Sequence, residues 1–439
     1  MTTNNTNFIV SPTWIYPVIP SGLTLENHSL VVLENRIESL LPTQEAIRQF
    51  PNLVNLELPN QILLPGLINT HGHSAMALLR GYADDYKLMT WLEEHIWPVE
   101  NKLVDYEFVY DGTALAIAEM ISSGTTAIAD SYFFPDASAK AYIEYGFRAQ
   151  VGVPIIHFAN AWAKTEEEHI NKGLAVRDTL KSQKLITPAL APHSTYSVSD
   201  SGFEQVGMYS EHLDMPIHLH LHETAKEIAD AMADTARRPF QRIKELGILS
   251  PSLQAIHMTQ LTQQEIADLA QRQVKIAHCP ASNLKLASGF CPTGELLAHQ
   301  VNVSLGTDGS ASNNNLDMFE EMKIAALIAK GMSGDATSIP ATTALEMATI
   351  NGARCLGMDE DIGSLEPGKC ADMITVDLSA LRFQPMHNPV SDLVYAASGN
   401  QVSNVWINGT QRLSHGKLTN MDTARILANA QQWQSKISP

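Results

Sequence analysis

Eight short apolar runs, each followed by a segment with helical spacing, fill the middle of this sequence: Ile62–Thr70, Thr126–Asp130, Arg148–Pro154, Leu185–Ala191, Pro216–Leu221, Leu253–Ile256, Val274–Ala277 and Val301–Thr307. Apolar runs without polar alternation read as strands buried on both faces, and strand–helix alternation builds a parallel sheet. Eight such units predict an α/β chain with a (β/α)8 TIM barrel. The ends read differently. Phe8–Val10, Ser29–Leu33 and Leu53–Leu58 are short apolar pieces between turn residues, and that texture returns in Gly363–Asp377 and Asn404–Gly409. They predict a small β-sandwich domain built from both chain termini, residues 1–61 plus 364–421, beside a hydrolase barrel over 62–363. A cap and apolar spacing from Asp422 to Ile437 predict a C-terminal helix within 422–439.

Charge narrows the partners. With 29 Lys+Arg against 47 Asp+Glu the chain carries a formal charge of −18, which repels phosphate backbones and anionic lipid. Neither nucleic acid nor a membrane is expected as a partner. The four cysteines (Cys279, Cys291, Cys355, Cys370) form no C-x-x-C pair and are expected to be reduced. The first residues have neither the basic start nor the apolar core of a signal peptide, and no apolar run reaches bilayer length, so a cytoplasmic location is expected.

The polar residues at the strand ends carry the chemistry. In Pro65-Gly-Leu-Ile-Asn-Thr-His71-Gly-His73, strand parity points both histidines the same way at the end of the first run. Barrel active sites lie at the C-terminal ends of the strands, and two imidazoles there make half of a tetrahedral zinc site. In Pro216-Ile-His218-Leu-His220-Leu-His222-Glu223, three histidines share one parity and Glu223 falls on the other. For Glu223 to reach the same pocket the strand must end near Leu221, which makes His220 the last inward residue. His218 is then expected one layer deeper, as a hydrogen-bonded core or metal-supporting group, and His222 as a solvated loop residue. The run is not the H-E-x-x-H of a zinc protease, because Lys226 takes the final position. In Val301–Asn313 the parity of Asn302, Ser304, Gly306 and Asp308 makes a small polar face ending at Asp308. An Asp before Gly is ordinarily a turn former, but beside three candidate histidine ligands it becomes the natural fourth. His193, His257 and His278 end the fourth, sixth and seventh runs.

Together these residues resemble the amidohydrolase superfamily, and within it the 5′-methylthioadenosine/S-adenosylhomocysteine deaminases. The similarity runs nearly end to end and includes Pro65–Ser74, Trp97-Pro-Val-Glu100, Ala191-Pro-His-Ser194, His218–Thr224, Pro280–Leu286, Gly306–Asn314 and Leu365–Asp372. The Pro-Val-Glu segment points to the nucleoside branch. The resemblance implies one zinc ion per chain, with Fe2+ as the other candidate, held by His71, His73, His220 and Asp308. It implies that Glu223 handles the ring-nitrogen proton, that His257 orients the attacking water, that Glu100 grips the ribose hydroxyls and that His193 contacts the nucleoside. His222 departs from the small residue common in the family. A small-molecule nucleoside partner and a homo-oligomer are expected.

The expected reaction is hydrolytic deamination of 5′-modified adenosines to the inosine analogue and ammonia. 5′-Methylthioadenosine is expected above S-adenosylhomocysteine, because residues 151–163, which include Phe158 and Trp162, contain no arginine for an amino-acid carboxylate. Two rivals have discriminators. A deaminase or chlorohydrolase of a free base or s-triazine leaves Glu100 no sugar to hold. A metal-free barrel acting as a binding protein has no reason to keep four ligands and two proton-handling residues. The H-x-E…P-C-x-x-C signature of the cytidine-deaminase class is absent.

Overall fold

Gly66 divides the first apolar run into two strands that serve different sheets, in a computed structural model that describes residues 6–437. The run Ile62–Thr70, expected as one barrel strand, therefore splits. Residues up to Pro65 belong to the strand Val54–Pro65, whose Pro65 pairs with Met373, and the barrel begins at Leu67. Both halves are buried, so hydropathy cannot register the break. Glycine is required at it, since a Cβ on Gly66 would lie 2.1 Å from the Thr126 hydroxyl.

The barrel strands are β1 (Leu67–Gly72), β2 (Thr125–Ser131), β3 (Arg148–Ile155), β4 (Ile186–Pro192), β5 (Ile217–Leu221), β6 (Leu253–His257), β7 (Lys275–His278) and β8 (Val303–Leu305). They neighbour one another in chain order in an eight-stranded sheet. A parallel bridge between Gly72 and Asp308 joins the two ends of that sheet. Inside, the Thr70 hydroxyl lies 2.9 Å from that of Ser304, so the small polar face expected on the last strand fills the barrel beside β1. Gly306 lets the backbones approach, because a Cβ there would meet the His71 amide nitrogen at 2.8 Å.

Both ends of the chain contribute to one nine-stranded mixed sheet, in which Val54–Pro65 lies between Phe8–Ile15 and Met373–Asp377. Its core joins Phe8, Val10 and Leu30 to Met373 and Trp406, with Phe8 and Trp406 stacked at 5.9 Å. The C-terminal helix, Thr423–Ile437, is capped by the Asp422 carboxylate, which accepts from the Arg425 amide. Its Trp433 packs edge-on against Phe108 and donates to Asp111 at 2.9 Å.

By packing, the chain forms two compact units. One takes residues up to Asn69, Ala118–Ala127 and Asp317–Met421, and the other takes Thr70–Ile117, Ile128–Leu316 and Asp422 onward. All residues of the candidate site lie in the second. The four cysteines are buried and none forms a disulfide with another. Among the described residues no helix is long and apolar enough to cross a membrane.

Candidate active site

The strand ends of the barrel bring the donor atoms of His71, His73 and Asp308 into one cluster and those of His71, His220 and His257 into another, with His71 common to both. His71 ends β1 and His73 follows it, His220 lies on β5, and Asp308 follows β8. Asp308 Oδ1 lies 3.2 Å from His71 Nε2 and 3.3 Å from His73 Nε2, and His220 Nε2 lies 3.1 Å from His71 Nε2. Bonds of about 2.0–2.1 Å to one tetrahedral zinc put its ligands about 3.4 Å apart, close to these separations. Each ring is held by its other nitrogen: His73 Nδ1 against the Ser131 carbonyl at 2.5 Å, His220 Nδ1 against the His193 carbonyl at 2.7 Å, and His71 Nδ1 against His218 at 2.7 Å. Those contacts leave the Nε2 atoms of His71 and His73 facing the carboxylate and that of His220 facing His71. Burial pushes His71 and His220 well below the ordinary histidine pKa, which keeps the rings neutral. Neutral imidazoles and a carboxylate form a donor set that fits a divalent cation.

The carboxylate is fixed as firmly. Asp308 Oδ2 accepts from Ser282 at 2.6 Å and from Ser312 at 2.9 Å, and Oδ1 accepts from the Gly309 amide at 2.8 Å. Asp308 takes a left-handed backbone (φ 63°), as do His257 (69°) and His222 (54°). Each such residue costs roughly 1–2 kcal/mol, and these three stand at or just past the ends of barrel strands.

That strain redirects side chains, and it corrects one expectation. His222 is fully buried rather than solvated, with Nδ1 3.1 Å from the Gln260 carbonyl and Nε2 accepting the Phe240 amide at 3.0 Å. The left-handed turn carries it away from the cavity and returns Glu223 toward it. Strand parity cannot foresee this, because it ends with the strand at Leu221. Glu227 steadies the turn by accepting from the amides of His222 (3.2 Å) and Glu223 (2.7 Å).

Glu223 faces His257 across 3.9 Å and accepts from the Ser288 hydroxyl at 3.3 Å. Burial, reinforced by the nearby Asp308 charge, raises its pKa above the ordinary carboxyl value. His257 Nδ1 is held by Asn283 Oδ1 at 2.8 Å. These groups open onto a cavity of about 310 Å³ lined also by Glu100, Tyr132, His193, Trp97 and Phe158. Burial lowers His193 to about 4, so it is neutral there. Glu100 rises from the helix Trp97–Leu103 and accepts from the Tyr132 hydroxyl at 2.6 Å, and burial lifts its pKa to about 7. Trp162 departs from its expected place. It packs against Val153 and Ala163, outside the cavity wall.

Some of these residues were not singled out by sequence reasoning. Asn283, Ser282 and Ser312 sit inside motifs that are legible as motifs, and only the fold shows what they hold. Nothing in the sequence marks Tyr132.

The model of the amidohydrolase family matches residues 62–412 of this chain, which span every strand of the barrel and every residue of this site. The chain belongs to the amidohydrolase family. This amidohydrolase is 48% identical over 435 residues to a 5-methylthioadenosine/S-adenosylhomocysteine deaminase of Teredinibacter turnerae, covering 99% of this chain and 98% of the relative. It is 38% identical over 416 residues to a 5′-deoxyadenosine deaminase of Methanopyrus kandleri, covering 94% and 96%. A solved adenosine deaminase of Xanthomonas campestris with bound zinc superposes with a TM-score of 0.97 at 48% identity, covering 98% of each chain.

Proposed function

We propose that this amidohydrolase deaminates 5′-modified adenosines, 5′-methylthioadenosine above S-adenosylhomocysteine, giving the inosine analogue and ammonia. The observation that carries the reading is one cavity lined by candidate cation ligands, a buried protonatable carboxyl (Glu223) and a second buried carboxyl (Glu100). The names of the full-length relatives support the same substrate class. His71, His73, His220 and Asp308 hold the cation, and the zinc bound in the similar Xanthomonas campestris structure favours zinc over iron. A divalent cation in this cradle acts as a Lewis acid that lowers the pKa of water toward neutrality.

The chain's own groups do the rest. His257, braced by Asn283, orients the water toward C6 of the purine, and Asp308 accepts its proton. As the oxygen adds at C6, electrons move to N1, where Glu223 delivers a proton. Its burial-raised pKa keeps that proton available. Asp308 then passes its proton to the 6-amino group, which leaves as ammonia as the C6–N bond breaks, and the C6 hydroxyl gives its remaining proton to Glu223, restoring the acid as C6=O forms. Glu100, oriented by Tyr132, accepts the ribose hydroxyls, and neutral His193 contacts the nucleoside. A free-base or s-triazine substrate would leave Glu100 buried without that partner. We also assign the enzyme to the cytoplasm as a homo-oligomer, which gel filtration tests.

The deciding assay follows the ultraviolet change from adenine to hypoxanthine over a panel of adenine nucleosides, free adenine and an s-triazine. Turnover of the 5′-modified nucleosides with little of free adenine is expected. Equal turnover of adenine overturns the ribose reading.

A further inference from the structure

Behind His71, away from the cavity, two further buried side chains form a line that the reaction above does not use. His71 Nδ1 lies 2.7 Å from His218 Nε2, and His218 Nδ1 lies 3.0 Å from Gln254 Oε1. Fractional exposures of 0% for His71, 3% for His218 and 1% for Gln254 place the line inside the barrel. Its spacing comes from the fold, since His218 and Gln254 are direct partners in the β5–β6 ladder.

Two imidazole nitrogens in hydrogen-bond contact share one hydrogen: one donates and the other accepts. The direction of that bond decides what the far edge of His71 can do. A neutral His71 with its hydrogen on Nδ1 has a lone pair on Nε2, the nitrogen 3.2 Å from Asp308 Oδ1. With the hydrogen on Nε2 instead, that nitrogen is closed to a cation. Gln254 fixes the choice. Its carbonyl oxygen only accepts, so His218 Nδ1 carries the hydrogen, His218 Nε2 is bare, and His71 Nδ1 must donate. Ring partners of this kind orient metal-binding histidines and raise their basicity.

We infer that His218 and Gln254 are positioning residues that lock His71 in the tautomer able to bind a cation through Nε2. The inference rests on the metal reading under Proposed function. It places part of the control of cation affinity on residues that touch neither cation nor substrate.

The test measures Zn2+ affinity of the chelator-stripped protein by competition with a chromophoric chelator, for wild type, His218→Phe, His218→Gln and Gln254→Leu. His218→Phe and Gln254→Leu should each weaken Zn2+ binding about 10–100-fold. His218→Gln, which returns an acceptor toward His71, should recover most of the loss. In the zinc-loaded wild type, nitrogen-15 NMR should place the hydrogens of His71 and His218 on Nδ1. A wild type that binds no Zn2+ overturns the metal reading, and this inference with it. Tight binding by wild type together with Gln254→Leu within twofold overturns this inference alone, as does a His71 hydrogen found on Nε2. Should His218→Phe fail to fold, Gln254→Leu and the NMR assignment decide the matter.

Discussion

The backbone amide of Asp308 donates to the carbonyl of His71 at 2.9 Å, so the contact that joins the last barrel strand to the first also sets two candidate ligands side by side. The seam is made by backbone and the cation cradle by side chains. Cutting back the carboxylate should therefore empty the cradle without opening the barrel. In Asp308→Ala, bound metal should fall from about one ion per chain to near zero, and deamination should fall to background. The circular dichroism spectrum should stay that of wild type, because the seam bond at residue 308 is made by backbone. Metal analysis and thermal melts check this. Full activity in an exhaustively chelated, metal-free sample would sink the mechanism.

Acid catalysis gives a sharper test because Glu223→Gln keeps shape and polarity. The amide still accepts from Ser288 but has no proton to deliver to N1. General acid groups contribute on the order of 10²–10⁴-fold, so kcat should fall by at least that range with metal content unchanged. A variant within a few-fold of wild type would make Glu223 a mere loop residue.

How much of this site was legible beforehand follows from what each signal measures. Parity within a strand placed His71 with His73 and put His218 a layer below His220, because the pleat is a local property. It failed at His222 and at Gly66, where a left-handed residue and a sharp break end the alternation without changing hydropathy. The closing bridge is beyond any local signal, since Gly72 and Asp308 are far apart in sequence. Tyr132 is a similar case. It follows β2, and only the cavity's shape brings it to Glu100 from another element.

Glu100 links recognition to pH. Its pKa is raised from 4.5 to about 7 by burial, so its burial costs nothing below about pH 4.5, and the penalty grows between pH 4.5 and 7 and stays at its full size above that. Glu100→Gln should thus leave the melting temperature unchanged in acid and raise it above pH 7. The gain is at most about 3 kcal/mol, the equivalent of that shift at 1.36 kcal/mol per unit. Accepting ribose hydroxyls favours the carboxylate, so wild-type kcat/KM should rise as pH passes through about 7, and the variant should lose that limb along with much of its affinity. Paired melts and pH–rate profiles test both halves. A variant less stable than wild type at pH 8 would show that Glu100 is held for structure.

Substrate choice turns on what the cavity wall can offer a 5′ substituent. Phe158 lines it and is 41% exposed, beside Trp97 at 6.2 Å, which suits a methylthio group. No lysine or arginine is among the lining residues, and the nearby Lys164 is engaged by the Asn160 carbonyl at 2.6 Å. The amino-acid carboxylate of S-adenosylhomocysteine would therefore forgo a charged hydrogen bond worth roughly 1.5–3 kcal/mol, or about ten- to a hundredfold in affinity. kcat/KM for 5′-methylthioadenosine should exceed that for S-adenosylhomocysteine by about this factor. Ala161 lies on the same wall, and Ala161→Arg supplies the missing cation. That variant should narrow the gap by improving the larger substrate, at modest cost to the smaller. Equal wild-type values, or a preference for S-adenosylhomocysteine, would mean that another group reaches the carboxylate and that the apolar wall does not set the choice.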